Sequence, residues 1–152
     1  MKKKIKTYVL IVSSRFPAYH PRVGNITYFS EKIRKGEKKH TIRLNYELWK
    51  KRIEEVQRGE AILSVREWIG KPYISMQREL FFYSDLSNIG VEKLERDDLG
   101  WYINGQDLGI TTLDLAANDG LTKDDFTAWF KGKIKTNKPM AIIHFTEFRY
   151  GK

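Results

Sequence analysis

Hydrophobic and polar residues alternate along the chain with two different periods, which divide it into short strands and short helices. Lys6–Ser13 is rich in Tyr, Val, Leu and Ile, the composition of a first strand. Apolar residues recur at helical spacing between Trp49 and Val56. Asn45 is a suitable N-cap for this helix and Gly59 a suitable stop, so the pattern predicts a helix from Asn45 to about residue 58.

A similar argument applies to the segment before that helix. Ile26–Lys35 has helical spacing, with Asn25 as a candidate N-cap and Gly36 as a candidate stop. A glycine at this position can end a helix in the left-handed conformation. The next residues, His40–Leu44, have the composition of a short strand.

The second half of the chain is dominated by strand patterns. Asn104-Gly105 is a strong hairpin signal within Gly100–Leu108. Helices are predicted at Leu113–Ala117 and after Thr122, which can cap a first turn containing two aspartates. The further predicted strands are Ala61–Ile69, Tyr73–Tyr83, Val91–Glu95 and Met140–Phe148.

These elements predict an α+β fold in a single domain spanning residues 1–152. We expect a small β-barrel, or strongly curved sheet, of about six mostly antiparallel strands. Three or so short helices would then pack at the ends of the barrel.

Composition narrows the class of protein. With 41% hydrophobic and 13% aromatic residues, the chain has the composition of a folded domain. It has no cysteine, which excludes disulfides, zinc–thiolate sites and cysteine nucleophiles and suits a reducing cytosol. The apolar run from Tyr8 to Val12 is too short for a signal-peptide core or a membrane span. We therefore expect a cytoplasmic protein that does not enter a membrane.

The positive charge is concentrated in one part of the chain. The net charge is +9, and residues 1–60 carry 16 Lys+Arg against 6 Asp+Glu, whereas residues 61–152 carry 12 against 13. A field of this kind favours anionic partners, with nucleic acid first among them. Ordinary lysine-rich helix faces that aid solubility are the alternative.

The most informative stretch is Gly36-Glu37-Lys38-Lys39-His40-Thr41-Ile42-Arg43. It brings an amine, a hydroxyl and a fixed positive charge together within a few residues at the start of a strand. This segment predicts a polar site around Lys38, Thr41 and Arg43. Alternation along a strand turns His40 to the face opposite Thr41, so His40 is the weaker candidate.

The order of residues resembles a known family. Phe29-(x)3-Ile33-(x)2-Gly36-(x)-Lys38-(x)2-Thr41-Ile42-Arg43 is similar to the signature of the ASCH domain, a relative of the PUA-like RNA-binding barrels. A later segment, Asp119-Gly120-Leu121 followed by Asp125-Phe126-(x)2-Trp129-Phe130, resembles the second motif of that family. The resemblance covers roughly residues 25–148.

The resemblance implies a PUA-like barrel with a charged cleft that binds RNA or a modified nucleoside. Some small members of the family are amidohydrolases that remove the acetyl group from N4-acetylcytidine. Their catalytic lysine, threonine and acidic residue correspond to Lys38, Thr41 and Asp119. The acidic residue in those enzymes is a glutamate, so Asp119 is one methylene shorter. This chain also has extra residues at 14–24 and 83–108.

Each of these residues also has an ordinary structural interpretation. Thr41 is a good strand residue, and Lys38 could contact phosphate or solvent instead of acting as a base. Asp119 precedes a glycine, as turn aspartates do. Arg43 can grip a phosphate or a base edge, or form a structural ion pair.

Further ligand-binding candidates lie outside the motif. Arg66 and Trp68 share a strand face, and with Lys71 and Tyr73 across a turn they could form a positively charged stacking platform, the alternative being ordinary packing. The other candidates are Lys39 in the motif and Arg15 and Arg22 on a loop.

The sequence thus predicts RNA or modified-nucleoside binding through a basic cleft. The alternative is an enzyme, either an amidohydrolase of N4-acylated cytidine or a ribonuclease, that uses Lys38, Thr41 and Asp119. No cofactor is expected, and the partner would be RNA or a nucleoside-like molecule bound by a monomer. His20, His40 and His144 are too scattered to suggest a metal site, and His144 has the setting of a packed core residue.

Overall fold

Residues 4–135 and 138–151 are described in a computed structural model of the chain. They form strands and helices joined by short loops. In chain order the elements are β1 (Lys6–Ile11), α1 (Phe29–Arg34), β2 (His40–Arg43), α2 (Tyr46–Gln57), β3 (Ala61–Trp68), β4 (Gln77–Tyr83), β5 (Gly90–Asp97), β6 (Gly100–Ile103), α3 (Thr112–Asn118), α4 (Lys123–Phe130) and β7 (Met140–His144).

The strands are arranged in two sheets. One has the order β1-β3-β4, in which β1 is parallel to β3 and β3 is antiparallel to β4. The other has the order β2-β7-β5-β6 and is antiparallel throughout. The predicted α+β class and mostly antiparallel pairing are confirmed. Neither sheet closes on itself within the described residues, so the closed barrel expected from the sequence is not observed.

Helix α2 packs against both sheets because it contacts β3, β5 and β7. Its Ile53 and Val56 are fully buried and Trp49 is 9% exposed, which confirms the apolar face predicted from their spacing. Asn45 caps the helix by accepting a hydrogen bond from the backbone N–H of Leu48, as expected.

Three helices end with the same glycine motif. After α1, Gly36 has φ 77°, its N–H donates to the carbonyl of Ile33, and the N–H of Glu37 donates to the carbonyl of Lys32. These are the two hydrogen bonds of a Schellman motif. Gly59 after α2 and Gly120 after α3 repeat this arrangement with φ 78°. The stops predicted at Gly36 and Gly59 are therefore confirmed.

Helix α1 is shorter than predicted. It begins at Phe29 and not at Ile26, because Ile26 instead forms a β-bridge with Arg15. The N-cap is Tyr28 in the left-handed conformation, and it makes no side-chain capping bond. The prediction of Asn25 as the N-cap was wrong.

Two strands, β4 and β7, are shorter than predicted by four residues each. Strand β4 begins at Gln77, because Tyr73 lies in the preceding turn with φ 68°. Strand β7 ends at His144, so the predicted extension to Phe148 was wrong. Asn104-Gly105 does form a tight turn, but it is closed only by an isolated bridge between Ile103 and Gln106.

No helix in the described part of the chain has both the length and the apolar composition needed to cross a bilayer. The longest of them, α2, has 12 residues.

Candidate active site

A cavity of about 100 Å³ lies between α1, β2 and the two helices α3 and α4. Lys38, Thr41, Arg43 and Asp119 all line this cavity. The structure therefore brings together the four residues that the two sequence motifs singled out. Apolar side chains form most of the remaining wall: Val12, Phe29, Ile42, Leu121, Trp129 and Phe130.

Lys38 and Asp119 form a buried ion pair. Their side chains are 2% and 5% exposed, and Lys38 Nζ lies 3.0 Å from Asp119 Oδ1. The same ammonium donates to the main-chain oxygen of Asp119 at 2.7 Å. Because this carbonyl is at the C-terminal end of α3, the positive charge also lies at the negative end of the helix dipole.

The two glycine motifs explain why the pair forms. Gly36 ends α1 and turns the chain, so that Lys38 N–H still donates to Lys32 O at 3.0 Å. Gly120 ends α3 directly after Asp119 and packs against the Lys38 side chain, since a Cβ at Gly120 would lie 3.1 Å from Lys38 Cβ. The backbone N–H of Lys39 also donates to Asn118 O at 2.7 Å, which joins the two segments.

The surroundings of Lys38 make its ammonium more acidic than that of a free lysine. Burial lowers the pKa of Lys38, and the positive charges of Arg43 and Lys32 lower it further, while Asp119 opposes this effect. The ammonium also lies 4.1 Å from the centre of the Phe29 ring. The cationic neighbours of Lys38 are thus Arg43 and Lys32.

Arg43 joins β2 to the other sheet. Its Nη2 donates to the main-chain oxygen of Ile11, the last residue of β1, at 2.5 Å. Its Nε is buried and has no hydrogen-bond partner in the described structure. Burial lowers the pKa of the Arg43 guanidinium, an effect opposed by Asp119. An arginine that lines the cavity thus has one buried N–H without a partner among the described residues.

Thr41 is 6% exposed and pairs with Ile143 of β7. Strand alternation puts Thr41 and Arg43 on the same side of β2, and both line the cavity, as does Ile42 between them. His40 is fully buried and does not line the cavity, as the alternation predicted.

His40 nevertheless lies close to Asp119, although it does not line the cavity. Its Nδ1 lies 3.5 Å from Asp119 Oδ1, and its Nε2 lies 2.7 Å from Tyr150 Oη. Tyr150 in turn accepts a hydrogen bond from Asn118 Nδ2 at 3.0 Å. Sequence reasoning missed Tyr150 and Asn118, because nothing in the local pattern connects residue 40 with residue 150.

His144 is fully buried, as predicted for a packed core residue, and its Nε2 lies 2.8 Å from Glu92 Oε1. Burial lowers the pKa of His144 to about 4. The ring is therefore neutral at pH 7 and donates from Nε2 to the carboxylate.

The predicted stacking platform lies away from the cavity. Trp68 and Tyr73 have ring centroids 5.5 Å apart, with Tyr73 86% exposed and Lys71 exposed in the same turn. Arg66 is held by Ser64 Oγ at 2.9 Å and by a second hydrogen bond on β4. The aromatic pair is thus assembled, but Arg66 is engaged within the sheet.

Arg15 and Trp68 line a separate open groove of about 450 Å³, together with Arg34 and Arg78. This groove and the cavity share Phe29 as a common wall. Arg78 is paired with Glu67 at the rim. The groove extends the cationic and aromatic surface beside the cavity.

Arg22 and Lys39 lie outside both concavities. Arg22 pairs with Asp125 Oδ2 at 2.6 Å and attaches its loop to α4. Lys39 is half-buried, with its ammonium 4.9 Å from the centre of the Phe148 ring. Both cationic side chains therefore already make contacts within the protein, Arg22 with Asp125 and Lys39 with Phe148.

Within residues 4–135 and 138–151, no group of three or more His, Asp or Glu side chains could hold a metal ion. Comparisons of the chain with protein-family models, with curated proteins and with solved structures gave no significant match.

Proposed function

We propose that this protein is an amidohydrolase that removes the acyl group from a small N-acylated nucleoside of the N4-acetylcytidine type. The observation that carries the proposal is the convergence of Lys38, Thr41 and Asp119 on one enclosed cavity. These residues come from the loop after α1, from β2 and from the end of α3. At about 100 Å³ the cavity is smaller than the roughly 300–1,000 Å³ of typical ligand pockets, so it would take the acyl amide group, with the rest of the nucleoside outside it.

The chemistry needs a nucleophile, a base and a donor for the oxyanion. The Thr41 hydroxyl attacks the amide carbon, and its proton passes to Lys38 in molecules in which the Lys38 amine is deprotonated. The unpaired Arg43 Nε–H donates to the carbonyl oxygen as negative charge develops there. Lys38 then returns the proton to the departing N4 amine, leaving an acyl ester on Thr41.

Water completes the reaction. A water molecule, deprotonated by Lys38, attacks the acyl ester, the bond to Thr41 Oγ1 breaks, and Lys38 returns its proton to Oγ1, which releases the carboxylic acid and the free hydroxyl. Asp119 holds the Lys38 amine in place through both steps. The net reaction is hydrolysis of one amide bond, with no other reactant.

The aspartate at this position is compatible with the proposed role. Although the side chain is one methylene shorter than glutamate, Asp119 Oδ1 lies 3.0 Å from Lys38 Nζ. The main-chain oxygen of Asp119 adds a second contact at 2.7 Å. The lysine is thus fixed by two acceptors of the same residue.

A direct assay tests the proposal. Purified protein is incubated with N4-acetylcytidine, and the release of cytidine is followed by chromatography. We expect turnover in the wild type and none in Thr41→Val, which keeps the side-chain shape and removes the hydroxyl. Thr7→Val, on the exposed face of β1, serves as the matched control and should leave turnover unchanged. Absence of turnover in the wild type would overturn the proposal.

The same residues support membership of the ASCH family within the PUA-like superfamily as a proposal. The order of the two motifs and their meeting at one cavity support it, and the two open sheets would then be a variant of the family's barrel. A crystal structure with a nucleoside bound between Lys38 and Arg43 would support this assignment.

RNA binding is a second candidate, favoured by the groove beside the cavity. Arg15, Arg34 and Trp68 offer positive charge and an aromatic surface to a single strand whose base enters the cavity. We expect the affinity for single-stranded RNA to fall steeply with salt. Arg34→Ala should weaken binding more than Arg96→Ala, an exposed arginine on β5 outside the groove. Salt-independent or undetectable binding would rule this candidate out.

A further inference from the structure

Three buried or half-buried polar side chains, those of Asn118, Tyr150 and His40, form a series of contacts that ends at the carboxylate of Asp119. Asn118 Nδ2 donates to Tyr150 Oη at 3.0 Å, and Tyr150 Oη lies 2.7 Å from His40 Nε2. On the other side of the ring, the buried His40 Nδ1 has no hydrogen-bond partner in the described structure, and Asp119 Oδ1 lies 3.5 Å from it. His40 itself is fully buried.

The order of donors along this chain sets the tautomer of His40. The amide nitrogen of Asn118 can only donate, so Tyr150 Oη accepts its hydrogen bond. The phenol has a single proton, and among the described residues its remaining neighbour within hydrogen-bond distance is His40 Nε2, so we assign Nε2 as the acceptor of that proton. The neutral imidazole then carries its own proton on Nδ1, the nitrogen that faces Asp119.

Burial supports these protonation states. It lowers the pKa of His40 and raises the pKa of Tyr150, so the ring is neutral and the phenol keeps its proton near pH 7. The charged and titratable groups that face His40 are Asp119, Lys38 and, edge-on at 5.5 Å, His144.

We propose that His40 is a positioning residue that orients the Asp119 carboxylate toward Lys38 through Nδ1–H, with its tautomer set by Tyr150 and Asn118. Asp119 Oδ1 faces donors from two directions, Lys38 Nζ at 3.0 Å and His40 Nδ1 at 3.5 Å. A hydrogen bond from His40 Nδ1–H across this 3.5 Å would hold the carboxylate on a second side, and catalysis is sensitive to small displacements of such a group. The kinetic consequence rests on the proposed hydrolase function, whereas the tautomer does not.

The first test reads the tautomer directly. Long-range ¹H–¹⁵N NMR of imidazole-labelled protein at pH 7 should assign the His40 proton to Nδ1. In Tyr150→Phe the donor to Nε2 is gone, and we expect a measurable population of the Nε2–H form. An Nε2–H tautomer in the wild type, or no change in Tyr150→Phe, would overturn the proposal whether or not the protein is a hydrolase.

The second test compares two amide replacements. The side-chain nitrogen of His40→Asn occupies roughly the place of Nδ1, and that of His40→Gln the place of Nε2. We expect His40→Asn to keep most of the kcat for N4-acetylcytidine. In His40→Gln, kcat should fall about tenfold to a hundredfold, the equivalent of one hydrogen bond to a charged group, with KM unchanged.

Stability is the control for both variants. Equal losses of kcat in His40→Asn and His40→Gln, in parallel with equal losses of Tm, would reduce His40 to a packing residue and overturn the proposal. If both variants fail to fold, Tyr150→Phe takes their place in the kinetic test, where a fall in kcat without a rise in KM is expected. An unchanged kcat in Tyr150→Phe would count against the proposal.

Discussion

Lys38 and Asp119 lie 81 positions apart in the chain and form one buried contact, in which the ammonium reaches both the side chain and the main-chain carbonyl of the aspartate. This contact joins the two sequence motifs. It also holds a lysine in surroundings that lower its pKa, which a catalytic base needs.

The free energy of unfolding of Asp119→Ala should be about 3–5 kcal/mol lower than that of the wild type, because the substitution leaves a buried ammonium without its partner. Urea unfolding followed by circular dichroism measures this. Asp98→Ala, an exposed aspartate in a turn, is the control and should change the free energy of unfolding by less than about 0.5 kcal/mol. The double variant Lys38→Met/Asp119→Leu should be more stable than Asp119→Ala alone, and a loss equal to the sum of both single variants would contradict this account.

Gly120→Ala should destabilise the protein more than Gly36→Ala. Both glycines end helices with nearly the same φ, 78° and 77°, so both variants suffer the left-handed penalty of about 1–2 kcal/mol. Only at Gly120 would the new Cβ crowd Lys38, at 3.1 Å from Cβ and 3.3 Å from Cγ, whereas nothing lies within 4 Å of a Cβ at Gly36. The difference in thermal midpoint between the two variants measures the contact, and equal midpoints would show that Lys38 moves aside freely.

Stability should fall as the pH is lowered from about 6.5 to about 4, because of His144. Burial lowers its pKa from 6.5 to about 4, so in this window the unfolded chain binds a proton that the folded protein does not. One such group changes the free energy of unfolding by at most about 1.4 kcal/mol per pH unit. The measurement is a series of urea titrations between pH 7 and pH 4.

Glu92 adds to this effect at the acid end. Burial alone would raise its pKa, but hydrogen bonds from His144, Tyr150 and Gly151 lower it, so its contribution is lost as the pH falls below 4.5. His144→Gln keeps a donor for Glu92 and cannot titrate. This variant should therefore show a shallower slope between pH 6.5 and 5, and a slope as steep as that of the wild type would assign the titration to other groups.

Arg43→Lys should lower kcat/KM for N4-acetylcytidine about 100-fold, because it keeps a positive charge but removes the Nε–H proposed to contact the oxyanion. Arg66→Lys, which alters an arginine engaged within the first sheet, is the matched control and should leave kcat/KM unchanged. Parallel loss of activity in both variants would point to a general effect of charge or folding.

The sequence predicted those elements whose signals are local. Asn45 caps α2, Gly36 ends α1, and His40–Arg43 forms a strand, each as expected from neighbouring residues. The errors have two causes, a partner outside the predicted element and a local turn. Ile26 leaves the predicted helix because it pairs with Arg15, and the predicted strand extension at Phe148 is replaced by a turn in which its N–H donates to Thr146 Oγ1.

The candidate site divides in the same way. The sequence alone showed an amine, a hydroxyl and a guanidinium within a few residues at the start of a strand. The alternation of side chains along that strand was also predictable, because it is a property of the backbone. Only the tertiary structure decided that Asp119 meets Lys38 in a buried pair, that the Arg43 Nε is unpaired, and that His40 contacts Asp119. These contacts depend on how α3 and the C-terminal segment pack against β2. The pattern of residues along the chain does not show which residues so far apart pack together.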